Sequence, residues 1–221
     1  MADSTSTYNA DNVAFAKGGV SGTVFRAPKG TVLPTDATTP LPDAWKSVGY
    51  IGEDGITFSE DTDTTSINEM GGNAVKTVVS SYSETAQFVM IETNEHSLKE
   101  RYGDKNVEWD ATTGKYKYEH RIPDGDGCPH VIEILKTNGY VERTVIADAS
   151  PSEFGDAQYH GSDGIGYDVT LSMNASQALN GATAITYGAK IAEPDTPGST
   201  VKSMDYSGDT SQQTGDGNDA D

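Results

Sequence analysis

Four histidines and one cysteine are the side chains best suited to metal or nucleophile chemistry. His96, His120, His130 and His160 stand at none of the spacings used by zinc-protease helices or metal fingers. Cys128-Pro129-His130 sets a thiol and an imidazole two positions apart; a metal would need further ligands, and a turn ahead of a strand accounts for the tripeptide. Asp61, Asp63 and Thr65 open like a calcium loop, but Ser66 stands where that loop needs glycine. Asp124-Gly125-Asp126-Gly127 reads as a plain turn. His160-Gly161-Ser162-Asp163 departs from the GxSxG elbow of a serine nucleophile, and neither Gly18-Gly19 nor Gly71-Gly72 leads into the Lys-Ser/Thr of a phosphate loop. Asn174-Ala175-Ser176 matches a glycosylation acceptor, which carries meaning only in a secreted chain. These residues predict no catalytic site, no metal and no cofactor.

The composition points to strands. There are 15 Val, 11 Ile and 25 Thr against 6 Leu, and branching at Cβ restricts rotamers in helices while packing well on a pleated sheet. Thirty-four acids against fifteen bases give a net charge of -19, which disfavours holding nucleic acid by its phosphates. DNA passing close by without adhering stays compatible with it. A single cysteine excludes an intramolecular disulfide. The polar, acidic residues 1–12 predict no secretion signal, and no apolar run approaches the ~20 residues of a membrane span. Synthesis in a cytoplasm is expected.

The chain divides into a polar arm over residues 1–14, a β domain over 15–191 and an acidic tail over 192–221. The tail holds seven acids against Lys202 and lacks Ile, Leu, Phe and Trp, so it is expected to stay disordered. Within the domain, Ile165, Tyr167, Val169, Leu171 and Met173 alternate with polar residues and predict a half-buried strand. Tyr116, Tyr118, His120 and Ile122 predict another. Strands over 131–137 and 140–147 should meet through Asn138-Gly139 in a two-residue type I′ turn.

Residues 76–91 read either as one long strand, about 50 Å at ~3.3 Å per residue, or as two shorter strands joined by a bulge near Ser83. Val78, Tyr82, Ala86, Phe88 and Met90 would share one face, and Thr77, Ser81, Ser83, Thr85 and Gln87 the other. A helix is expected over 95–102, capped by Asn94, braced by Glu95 and Lys99, and ended by Gly103. The fold class is all-β, a β-rich sandwich or barrel with one short flanking helix.

Residues 25–109 hold an ordered series. Phe25-Arg26-Ala27-Pro28-Lys29-Gly30-Thr31 is followed by Leu33-Pro34-Thr35-Asp36, Trp45-Lys46-Ser47-Val48-Gly49-Tyr50-Ile51 and Gly52-Glu53-Asp54-Gly55-Ile56-Thr57-Phe58. Gly71-Gly72, the long strand with Ser83-Glu84-Thr85, and Tyr102-Gly103-Asp104 come next. This order resembles the major tail tube proteins of long-tailed, non-contractile phages, similar in fold to the tubes of contractile tails and type VI secretion.

The resemblance implies a virion structural protein, made in the host cytoplasm and built into the tail. Six-membered rings would stack into a hollow tube whose long strands line a β-barrel lumen. The tube would enclose the tape-measure protein, end at terminator and initiator proteins, and pass DNA only as transient cargo. The polar segment 61–74, with Asp61, Asp63, Glu69, Gly71 and Gly72, would match the family's long hairpin loop and act in assembly. A tube of a phage-derived injection system, or a β-sandwich decoration or adhesion module of a virion or cell surface, are the alternatives.

Overall fold

A computed structural model describes residues 8–19, 21–123, 125–159 and 164–191. The expected tail 192–221, the first half of the arm, Asp124 and the stretch 160–163 lie outside the described residues.

The strands are β1 (Ala16–Gly18), β2 (Val24–Arg26), β3 (Lys46–Ser47), β4 (Ile51–Asn68), β5 (Ala74–Met90), β6 (Val107–Asp110), β7 (Lys115–Tyr118), β8 (Cys128–Lys136), β9 (Tyr140–Gln158), β10 (Gly166–Met173) and β11 (Ala184–Lys190). The helix α1 spans Glu95–Tyr102. Seven strands follow the order β3-β2-β8-β9-β10-β5-β4 in one antiparallel sheet, with β1 added on β8 and β11 on β9. β6 and β7 form a separate hairpin.

β9 turns this sheet into a sandwich. Its first part pairs with β8 from Val141 to Ala149, and its second part pairs with β10 from Ala149 to Gln158. One strand thus belongs to two layers. Between them, Val24, Ile132 and Ile146 meet Phe88, Met90, Tyr167, Val169 and Leu171, with Leu98 and Tyr102 of α1 closing the side. Each such side chain taken fully out of water contributes roughly 1.5–3 kcal/mol. A smaller cluster of Phe25, Trp45, Val131 and Val145 lies on the other face of the first layer, under Leu33 and Leu41.

The helix forms as its ends dictate. The Asn94 side chain accepts from the backbone N–H groups of His96 and Ser97, the Ser97 hydroxyl accepts in turn from the Asn94 backbone N–H, and Gly103 closes the last turn at φ 88°. The β10 alternation holds, with Tyr167, Val169, Leu171 and Met173 buried.

Four local expectations are corrected. The β8–β9 turn uses three residues, because Leu135 pairs with Val141 and the Gly139 N–H bonds to the Lys136 carbonyl. Gly139 alone takes a positive φ, 81°, so Asn138-Gly139 is not a type I′ turn but the end of a turn with a glycine bulge. The strand expected over 116–122 ends at Tyr118, leaving Ile122 exposed. The segment expected as a loop over 61–74 is mostly strand: β4 runs to Asn68, so the loop is only residues 69–73. β5 is one element, but its register against β4 slips at Ser80, because Asp63 faces Ser81 while Thr64 faces Val79. The slip puts Val78 opposite Thr65 and on the face away from Tyr82, which splits the expected apolar stripe.

Candidate functional site

The hairpin of β4 and β5 projects from the sandwich. Every residue from 57 to 83 is exposed, on both faces of the ribbon. Twelve of these lie on β4, a reach of about 40 Å at ~3.3 Å per residue. At the tip the Glu69 carbonyl accepts from Gly72, the Glu69 carboxylate accepts from the Asn73 amide at 2.6 Å, and Gly72 supplies the positive φ. A two-stranded ribbon bathed by water on both faces is marginal by itself. This one also exposes Ile67, Met70, Val75, Val79 and Tyr82. β4 ends the sheet, and its outer edge therefore offers unpaired N–H and C=O groups along the strand. Its five acids, Glu53, Asp54, Glu60, Asp61 and Asp63, face no base on the same strand and guard that edge against indiscriminate pairing.

The second layer turns a polar face away from the core. Register places Ser150, Ser172, Thr85 and Ser59 in one row across β9, β10, β5 and β4, and Glu153, Thr170, Gln87 and Thr57 in the next. Asp61 and Asp63 continue the face outward beside Ser83 and Ser81, and Ser81 donates to Asp63 at 2.9 Å. Asp168 sits on the same face, taking the Gln87 amide at 3.2 Å on each oxygen. Gly155 makes room for it, since a Cβ there would lie 2.1 Å from the Asp168 carboxylate. None of these residues is Lys or Arg. The face is hydroxyl and carboxylate, able to hold water and disposed to repel anions.

Charged residues of another kind lie inside. Glu100 of α1, fully buried, stands 3.1 Å from His130 Nε2 and 2.9 Å from Arg26 Nε. The Arg26 guanidinium also reaches Asp104 at 2.8 Å and the Cys128 sulfur at 3.6 Å. Burial alone would lower the His130 pKa; the Glu100 carboxylate and the neighbouring Cys128 sulfur together outweigh it and push the imidazole up to about 10. Burial likewise opposes the Glu100 charge, but His130 and Arg26 hold its pKa below the usual value. Glu100 and Asp104 together balance Arg26 and His130, which makes the cluster a brace between helix and sheet, with its Glu100–His130 half buried. Cys128-Pro129-His130 is therefore the start of β8, with its imidazole in this brace, and not a turn ahead of it.

The structure divides the predicted assembly residues. Asp61 and Asp63 lie on the polar face of β4, while Glu69, Gly71 and Gly72 lie at the ribbon tip. Among the described residues no three His, Cys, Asp or Glu side chains gather as a metal site. Asp168, Glu153 and the open edge of β4 were not readable as parts of one surface, because only strand order brings them together.

No curated protein matches the chain. Among solved structures, it is similar to a chain of the sheath-tube complex of an extracellular contractile injection system in its extended state. That match has 9% identity, covers 78% of this chain and 93% of the other, and has a TM-score of 0.38. The model of the phage tail tube protein family matches residues 6–196, and the chain belongs to that family of structural virion proteins.

Proposed function

We propose that this tail tube subunit closes into six-membered rings through the two open edges of its second layer, and that the rings stack through the projecting hairpin. Residues 150–158 of β9 pair with β10 on one side and with no described strand on the other. At the opposite end of that layer, β4 is also open. Joining the β4 edge of one copy to the β9 edge of the next continues the sheet around a ring and places the hydroxyl-carboxylate face on the lumen. The carrying observation is the ribbon over 57–83, exposed on both faces and carrying apolar side chains. It has the makings of a structure completed by neighbouring copies.

In this reading Asp61, Asp63, Glu153 and Asp168 line the bore. Repeated around the ring they repel phosphate within the ~8 Å screening length of physiological salt, so DNA slides without sticking. The water-bearing face would first surround the tape-measure protein, with initiator and terminator proteins at the two ends.

Negative-stain electron microscopy with light scattering tests this. The wild-type chain at high concentration, or seeded by its initiator complex, is expected to give rings or hollow tubes. The matching variant replaces residues 61–83 with Asn-Gly, closing the ribbon where Glu60 pairs with Glu84. It should stay folded by circular dichroism and form no tubes. Tubes of normal length from that variant would sink the role given to the hairpin. A compact wild-type dimer with no ring form, even when seeded, would favour the decoration or adhesion module.

A further inference from the structure

The two outer strands of the second layer break their ladders in the same row. β10 steps from Tyr167 to Val169 while β9 steps from Ala157 to Phe154, so Gly155 and Asp156 stand against the single residue Asp168. On the far side Met90 faces Ile51 and Phe88 faces Ile56, so residues 52–55 stand against Val89 alone. Tyr167 pairs with Met90 and Val169 with Phe88, which puts the two bulges level across the sheet. A bulge takes main-chain groups out of the ladder and bends its strand. In β9 this happens where the strand is least held, because residues 150–158 pair with β10 alone among the described strands.

Arg101 of α1 fills the gap. One terminal nitrogen donates to the Asp168 carbonyl and the other to the Gly155 carbonyl at 2.6 Å, while the guanidinium lies over the Phe154 ring, 5.2 Å from its centroid. Arg26, Arg121 and Arg143 pair with glutamates; Arg101 instead grips main chain on both sides of the bulge. A planar fork can bridge two carbonyls in this way, and the single ammonium of a lysine cannot match it.

We propose that Arg101 is a positioning residue for ring closure, a role that rests on the tube reading: it fixes the bulged end of β9 on β10 so that the outer edge of β9 is shaped to receive β4 of a second copy. The incoming β4 is regular from Ile56 to Asp63, on the ribbon side of its own bulge. A seam with that stretch needs outward N–H and C=O groups of fixed direction on β9, and a bulge free to shift would turn them.

Arg101→Lys keeps the charge and Arg101→Met keeps the stem over Phe154, but neither bridges two carbonyls. In the free subunit, hydrogen exchange of the amides over 154–158 should quicken about tenfold or more in both, with β2 and β8 unchanged. In seeded tube growth followed by light scattering, both should slow elongation by a similar factor. Ile132→Val, a core change of modest cost on β8, is the stability control and should elongate near the wild-type rate at a temperature where all the proteins are folded. Both Arg101 variants keep an intact β4 edge, so an equal amount of either added to wild type should join a growing ring and stall it. A chain that merely unfolds more easily would only dilute the wild type. Unchanged exchange over 154–158, normal elongation by both variants, slowing matched by Ile132→Val, or mixtures that grow like diluted wild type would each overturn the role of Arg101 alone. A wild-type chain that forms no tubes even when seeded would remove the tube reading, and this role with it.

Discussion

The two ends of β5 have similar residues and opposite surroundings. Ala86, Phe88 and Met90 are at most 1% exposed, while Val75, Val79 and Tyr82 are each about half exposed or more. The inner end has β10 on one side, β4 on the other and the core beneath it; the outer end has only β4. Alternation of apolar residues therefore marks a face to be buried without saying against which molecule. In this subunit the inner end finds its partner within the chain, and in the proposed ring stack the outer end finds it in another copy.

The comparison breaks most sharply at Phe88. Phe88→Ala empties a site at the centre of the core and should cost about 3–5 kcal/mol of stability, read as a lower urea midpoint. Val79→Ala, on the ribbon, should stay within ~0.5 kcal/mol in the free subunit and impair tube formation instead. If both changes cost the same in the monomer, the ribbon is packed before assembly and the distinction between the two ends is lost.

Charge gives the second contrast. Glu100→Gln removes the anion that Arg26 and His130 share, leaving Arg26 with Asp104 alone and the buried imidazole without its charge partner, an expected loss of about 3–5 kcal/mol. Asp168→Asn, on the open polar face, should change stability by less than ~1 kcal/mol. The pH dependence follows from the same brace. His130 titrates at about 10 in the fold against 6.5 ordinarily, so its stabilisation is fully present below 6.5 and is lost as pH rises through 10. Glu100 is shifted down from 4.5, so its share is present above 4.5 and is lost as pH falls through its lowered value. Urea midpoints should fall from pH 6.5 to 10, and His130→Gln should flatten that slope. A parent protein with no slope there would mean that the imidazole is neutral in the fold.

Local signals carried part of this structure. Asn94, Ser97 and Gly103 lie within a few residues of the helix they bound, and the β10 alternation is complete within eight residues. β4 was harder, because Asp61, Thr62, Asp63, Thr64 and Thr65 show no apolar period and resemble a polar loop. Its β-branched threonines were the available clue, since they suit a strand exposed on both faces. The brace was out of reach for a different reason. Arg26, Glu100 and His130 come from three elements far apart in the chain, and nothing local distinguishes Glu100 from an exposed helical glutamate.

A smaller effect probes how far local structure holds the inner region. Asn94 caps α1 through two backbone N–H groups, and its own amide donates to the Val48 carbonyl. Asn94→Ala should cost about 1 kcal/mol. Asn94→Asp, which keeps the accepting oxygens, should recover most of it. If the Asp variant is as weak as the Ala variant, the bond to Val48 matters more than the cap.

The smallest expected effect separates the free ribbon from the assembled one. Ser66 and Thr77 face each other near the tip with their hydroxyls 2.8 Å apart. Cross-strand pairs in a formed sheet are worth roughly 0.2–1 kcal/mol, but both hydroxyls here can bond to water equally well while the ribbon is solvated. A double-mutant cycle of Ser66→Ala and Thr77→Val should give a coupling near the bottom of that range when read by urea unfolding of the free subunit. Read by thermal disassembly of tubes, the coupling should be larger, because neighbouring copies exclude the water that competes with it. Equal coupling in both states would place the order of the ribbon within the subunit. It would leave the exposed Val75, Val79 and Tyr82, not the folding of the strands, as what assembly completes.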